Sequence, residues 1–413
     1  MQVAIGAMSR PLLIIPLIGL LLTGAGSAAS TTLAEAIGAA LALAEQTPRV
    51  TAARQEADAI RAQAGSLVAQ DPALRVKYLS DELTEGGGAN EWEAMLDLPL
   101  WLPGQRGARQ AVAGAVDSQA GTLERLLRWE MAGRVRQAAW EAAFAEGRLR
   151  QAEIALDASR ALEATVAKRT DAGELARVDL LLARQETLGR EVDLQSAQVE
   201  SRRAHGAYRH LTGADSLPEP LTESPPPTSD TAPVLPPNHP LLADSDGALA
   251  RARADRKQVG ADRRGHPTLS IGGKRAQELR GEDTLDSLQI EVSMPFGLAS
   301  QSAPALASAE RAYTERLNEL HRNRLEAEQT LTSADIERLG AAEALSVAER
   351  RHALTQDALR LMRRAFDLGE TDLAELLRAE DRAREASMDL ELRRLEQGRA
   401  LARLNQALGV IPE

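Results

Sequence analysis

Side chains able to do chemistry are plentiful in this chain, but along the sequence they do not assemble into a reaction centre. The six histidines, His205, His210, His239, His266, His321 and His352, lie scattered. They lack the i,i+4 pairing or Glu-x-x-His spacing of a helical metal site, and they read as solvated or hydrogen-bonded residues. Cysteine is absent, which removes disulfides, thiolate metal sites and a lipid-accepting thiol after a leader. Gly272-Gly273-Lys274 follows a predicted strand but lacks the remainder of a phosphate-loop pattern and a following hydroxyl residue, so it reads as a turn. There are 60 Asp and Glu against 49 Lys and Arg, and their helical spacing suits pairing with arginine more than a buried acid/base pair. The reading is of no catalytic residue, no cofactor and no bound metal, hence no enzyme. A net charge of -11 without a basic arm also argues against nucleic acid as a partner.

The chain does specify a duplicated framework. Gly173-Glu174-Leu175-Ala176-Arg177-Val178-Asp179-Leu180-Leu181-Leu182-Ala183 returns as Gly369-Glu370-Thr371-Asp372-Leu373-Ala374-Glu375-Leu376-Leu377-Arg378-Ala379. Gly173 and Gly369, Pro99 and Pro295, and Gly213 and Gly409 are each 196 residues apart, so one shift relates three kinds of landmark. The expected organisation is a first repeat over 30–213, a Pro-rich linker over 214–237 and a second repeat over 238–413. Residues 1–29 read as a secretory signal, with Arg10 before an apolar run from Leu12 to Leu22 and small residues at 25–29. Aromatics are only 2% of the chain, and the Ala, Leu, Arg and Glu that dominate it favour long helices with small-residue contacts.

Each repeat predicts the same elements. Thr31 or Thr32 can cap a first helix with Glu35 completing a capping box, and Val50 to about Leu67 continues helical after Pro48. Period-two alternation follows. Leu74, Val76 and Tyr78, then Trp92, Ala94, Leu96 and Leu98, lie on one apolar face of a hairpin over about 74–100. Leu269 and Ile271, a polar Gly-containing loop, then Leu288, Ile290 and Val292 repeat it over about 268–295. The alternation does not say whether that face meets lipid or protein. Long helices are expected over about 105–171 and 303–366, with return helices over about 177–211 and 373–408. Gly173 and Gly369 then end the long helices and turn each hairpin at a tip. Leu217 to Pro237 holds too many prolines for helix or central strand and reads as an extended spacer.

This order of elements resembles the TolC-like outer-membrane efflux proteins over essentially the whole mature chain. The resemblance rests on the duplication, on Asp97-Leu98-Pro99-Leu100 with Gly104, on Val292-Ser293-Met294-Pro295-Phe296 with Gly297, and on the turns at Gly173-Glu174 and Gly369-Glu370. It implies a mainly α fold with a small β part: long helical hairpins, and two β-hairpins giving four strands to a trimeric twelve-stranded outer-membrane barrel of a Gram-negative bacterium. It implies a passive exit duct for small molecules or metal ions. The tips would meet a periplasmic adaptor and, through it, an inner-membrane transporter. Glu375 falls at an acidic gate position of the family, while Arg378 departs from a second acidic one. Those two residues can pair within or between subunits, or form an ordinary surface pair. Pro99, Gly104, Pro295 and Gly297 mark the strand-to-helix junctions. The competing reading is a periplasmic coiled-coil adaptor or scaffold, which shares a leader and long hairpins but would be expected to carry a separate β-domain between its helices.

Overall fold

The computed structural model describes residues 32–44, 47–81, 86–225 and 233–412. The expected leader, residues 1–29, lies outside the described residues, as does the middle of the linker, residues 226–232. The chain begins with α1 (Leu33–Leu43). Thr32 is its N-cap: the hydroxyl accepts the Glu35 N–H at 3.2 Å, and the Glu35 carboxylate accepts the Thr32 N–H at 2.8 Å. The remaining elements of the first half are α2 (Thr47–Gly65), β1 (Ala73–Ser80), β2 (Asn90–Pro99), α3 (Gln105–Asp171) and α4 (Arg177–Thr212). The second half supplies α5 (Pro240–Asp262), β3 (Thr268–Gln277), β4 (Leu285–Ser293), α6 (Ala299–Asp367) and α7 (Leu373–Ala407).

Two expectations are corrected here. The second long helix starts at Ala299 and carries Pro304 inside it, where the sequence suggested a start near residue 303. Proline costs one backbone bond there, while the Leu298 carbonyl accepts the N–H groups of both Gln301 and Ser302 and holds the first turn together. Gly272-Gly273-Lys274 is not a turn; it lies inside β3, and Gly272 pairs with Met95 of β2. Met95 is buried on the otherwise polar face, and a Cβ on Gly272 would fall 2.7 Å from its sulfur. A Cβ there would also run into the Ala94 carbonyl, so the glycine admits the close approach of the β2 backbone as well as the methionine.

The four strands form one antiparallel sheet in the order β1-β2-β3-β4, so the hairpins of the two halves are joined through β2 and β3. The helices form a layer in which α3 and α6 run long. With 67 residues, α3 extends about 100 Å at ~1.5 Å per residue. Towards the sheet, α3 packs between α2 and α5, and α5 also packs on α6. Towards the other end, α3 packs with α4 and α7, and α7 packs on α6. Shorter helices therefore succeed one another along two continuous rods. Contacts across the layer rest on small residues: Ala327, Ala334, Ala341 and Ala348 recur every seventh position of α6 and are all buried. Gly398 of α7 lies under the Trp140 ring, so close that a Cβ would sit 3.0 Å from Trp140 Cζ2.

Candidate functional site

The sheet separates its faces as the alternation predicts. Leu74, Val76, Tyr78, Trp92, Leu96, Ile271, Leu288, Ile290 and Val292 share one side and are all exposed. Tyr78 and Trp92 stack with ring centroids 4.5 Å apart, and the same rung continues into the Arg275–Asp286 pair at 2.7 Å. The apolar band thus stops at a row of amphipathic and charged side chains near the hairpin ends. At its other border stands exposed Phe296, whereas Trp101 turns inward and donates its indole N–H to the Ser66 carbonyl. The opposite face is polar and internally paired. Arg75 meets Asp97 at 2.8 Å, Asp97 accepts the Ser270 hydroxyl at 2.5 Å, and Glu91 lies 2.6 Å from Lys274 and 3.6 Å from Lys77.

The junction residues convert strand to helix. The Pro99 carbonyl accepts the Ala69 N–H at 2.8 Å, and Gly104, with φ +93°, is the N-cap of α3 without a side-chain bond. Gln105 takes over the capping: its amide oxygen accepts the Leu102 N–H at 2.8 Å, and its amide nitrogen donates to the Ala261 and Gly265 carbonyls. Pro295 rests on Gly265, and Gly297 passes the Arg263 carbonyl so closely that no side chain fits. Arg106 donates to the carbonyls of Ala64 and Gly65 and so closes the end of α2.

At the far end the two tips make the same turn. Gly173 and Gly369 take φ of +78° and +75°. The Glu174 and Glu370 N–H groups each donate at 2.8 Å to the carbonyls of Arg169 and Ala365, and the two glycine N–H groups donate to Thr170 and Phe366. Both are glycine-terminated helix ends. The return helices are capped in complementary ways. Asp179 accepts the Ala176 N–H at 3.1 Å in the first copy, and Asp372 accepts the Glu375 N–H at 2.8 Å in the second. Glu375 and Arg378 form an ion pair within α7. What the repeat conceals is Arg169. It pairs with Glu174 at 3.2 Å, donates to the Phe366 carbonyl at 3.2 Å and stacks on the Phe366 ring at 4.7 Å, so the first tip holds the second. Position 365, its counterpart, is alanine. Comparing the copies for mismatch, rather than match, was the signal that could have found it.

A second group that sequence reasoning missed sits halfway along the shaft. Arg136, buried on α3, donates to both carboxylate oxygens of Glu223 at 2.7 Å and to the Gln406 side chain and Val410 carbonyl. Asn405 donates to Glu223 and to the Ser224 carbonyl, each at 3.1 Å. Trp129 and Gln406 bond reciprocally, side chain to carbonyl, at 2.8 and 3.0 Å. The described start of the linker is therefore a strap across α3 and α7, with Leu217 and Leu221 packed on the core, instead of a free spacer. His239 lies buried beside Trp129, and burial lowers its pKa despite the opposing bond to the Ala407 carbonyl. Burial raises the Asp244 and Asp255 carboxyls on α5. Among the described residues no group of three or more His, Asp or Glu could hold a metal ion, and no helix is long and apolar enough to cross a membrane.

Comparison with known proteins relates the second half of the chain to one family and the fold to several solved structures. Residues 236–410 match the family described as outer membrane efflux protein. That match falls on the second repeat, and over about nine-tenths of its length the chain shares the fold of solved outer-membrane channels. CusC is similar with a TM-score of 0.70 at 19% identity, over 92% of each chain. VceC of Vibrio cholerae gives 0.69 at 16% identity, over 92% of this chain and 96% of that one. MtrE of Neisseria gonorrhoeae gives 0.68 at 17%, over 92% and 90%. No curated protein sequence matches. MtrE is described as an outer membrane channel and VceC as an outer membrane protein.

Proposed function

We propose that three copies of this chain form a passive exit duct of a tripartite efflux system, with the sheets closing a twelve-stranded outer-membrane barrel and the tips docking a periplasmic adaptor. The observation that carries the reading is the two-faced open sheet. Its outer strands β1 and β4 keep unpaired edges beside a band of exposed Leu, Ile and Val. Lipid tolerates neither an open edge nor an unsatisfied backbone group, and closure by further copies removes both. The edges of the helical layer agree with this. Val178, Leu181, Leu188, Val192 and Val199 run at heptad spacing along exposed α4, and Val347, Leu354 and Leu361 along α6, with Leu368 at its C-cap continuing the row. Each seam needs a neighbouring helix, and a copy on either side supplies one.

In this reading cargo moves by diffusion, and the energy comes from an inner-membrane transporter reached through the adaptor. Gly173, Glu174, Gly369 and Glu370 form the docking turns, and Glu375 with Arg378 forms the constriction on the second copy. Membrane fractionation with unheated and boiled samples on a denaturing gel tests the duct: a heat-labile trimer in the outer membrane is expected. Recovery as a soluble monomer would overturn it in favour of a periplasmic scaffold. Bulky substitutions such as Gly173→Trp and Gly369→Trp are expected to abolish export while the trimer persists, and unimpaired export in both would remove the docking role.

A further inference from the structure

We propose a specific register for the seam between subunits: β4 of one copy pairs with β1 of the next so that Glu291 stands opposite Lys77. This rests on the trimeric barrel proposed above and adds which residues meet. One rung of the sheet runs Ala73, Asp97, Ser270, Glu291. In a closed barrel the next residue on that rung belongs to β1 of the neighbour, displaced from residue 73 by the stagger each subunit contributes. Strands about 4.8 Å apart, rising about 3.3 Å per residue and tilted by roughly 35–45°, stagger a twelve-stranded barrel by roughly 12 to 17 residues in all, about four to six per subunit. Side chains alternate between faces, so only an even stagger keeps polar residues on the polar side. Four leads to Lys77 and six to Leu79. A stagger of opposite sign leads to Ala69 or Leu67, outside β1.

Chemistry selects between the two. Among the described residues, ion pairs on the polar face join β1, β2 and β3 and leave out Glu291, which is exposed on the β4 edge. The β1 edge carries Arg75 and Lys77 on that same face, both with half of the side chain exposed. A stagger of four puts Glu291 against Lys77 and, on the apolar face, Ile290 against Tyr78 and Val292 against Val76. A stagger of six leaves the carboxylate against Leu79 and faces Ile290 with Ser80. Opposite charges and aromatic with β-branched partners both stabilise directly facing pairs.

The chain contains no cysteine, so paired cysteines report the seam directly. Directly opposite residues have Cα atoms about 4.5–5.5 Å apart, within disulfide reach, whereas a shift of two residues opens the pair to roughly 7–8 Å. Full-length protein carrying Lys77→Cys with Glu291→Cys is oxidised in outer-membrane vesicles and run without reductant after boiling. A covalent ladder up to trimer is expected, lost in each single variant and in the pairs Leu79→Cys with Glu291→Cys and Arg75→Cys with Glu291→Cys. A ladder from either shifted pair, or none from Lys77 and Glu291 in a protein still trimeric before boiling, overturns the register and leaves the duct standing. Absence of any trimer in the unsubstituted protein sinks the duct reading itself.

Discussion

The two copies share a chain trace and differ in what each helix touches. In the first, the long helix α3 is central, enclosed by α2, α5, α4 and α7, and its return helix α4 lies at an edge with an exposed apolar seam. In the second the roles reverse: α6 lies at the edge, and α7 packs between α3 and α6. Duplication thus repeated the folding instructions without repeating the environments. The consequence is visible position by position. Arg136 is buried and bidentate on Glu223, while Thr332, 196 residues later, is exposed. Arg169 reaches across to Phe366, while Ala365 reaches nothing comparable. Central helices acquire specific polar contacts; edge helices keep exposed apolar seams.

The sharpest way to break this contrast is at Arg136. Replacing it by alanine leaves the Glu223 carboxylate buried without its partner, so stability is expected to fall by about 3–5 kcal/mol, whereas Thr332→Ala should change it by less than about 0.5 kcal/mol. Thermal unfolding of the purified proteins measures both, and comparable losses would mean that position in the layer does not matter. A smaller effect, with a change of sign, is expected at glycines. Gly398→Ala on central α7 should cost about 1–3 kcal/mol because its methyl meets the Trp140 ring. Gly189→Ala on edge α4, with nothing within 4 Å, should stabilise by roughly 0.5–1 kcal/mol through helix propensity. Destabilisation by both would show α4 to be packed in the isolated chain.

The smallest effect is that of pH, and it belongs to the second copy. Burial lowers the His239 pKa below the ordinary 6.5, so as pH falls through that value the unfolded chain takes up a proton that the folded chain refuses. Stability should therefore decline on acidification below about 6.5, and His239→Phe should flatten that part of a melting-temperature profile. The raised carboxyls of Asp244 and Asp255 act oppositely: their cost is relieved as pH falls through their folded pKa towards the ordinary 3.8. A variant profile parallel to the parent's between those windows and neutrality would show that His239 already ionises freely.

Much of the framework was legible because its signals are local. Thr32 and Glu35 are three residues apart and close a capping box on themselves. Gly173 and Gly369 supply the left-handed conformation that ends a helix whatever surrounds it. Alternation in the strands named the apolar face correctly. The misread positions were those whose meaning is set by a distant partner. Gly272 looks like a turn residue until β2 brings Met95 under it. Pro304 looks like a helix boundary until the bonds to the Leu298 carbonyl carry the turn past it. The Pro-rich linker looks like a spacer until Arg136 captures Glu223.

By itself, the sequence determined the duplication, the succession of helix and strand, the tip turns, and which face of each strand is apolar. Each of these follows from dihedral preference, capping or periodicity within a few residues. Only the tertiary structure decided that β2 lies beside β3, that α3 and α7 are central while α4 and α6 are edges, and that Arg169 joins the tips and Arg136 the waist. Those choices depend on contacts between residues far apart in the chain, where two repeats offer similar local signals and packing decides which helix of each is enclosed.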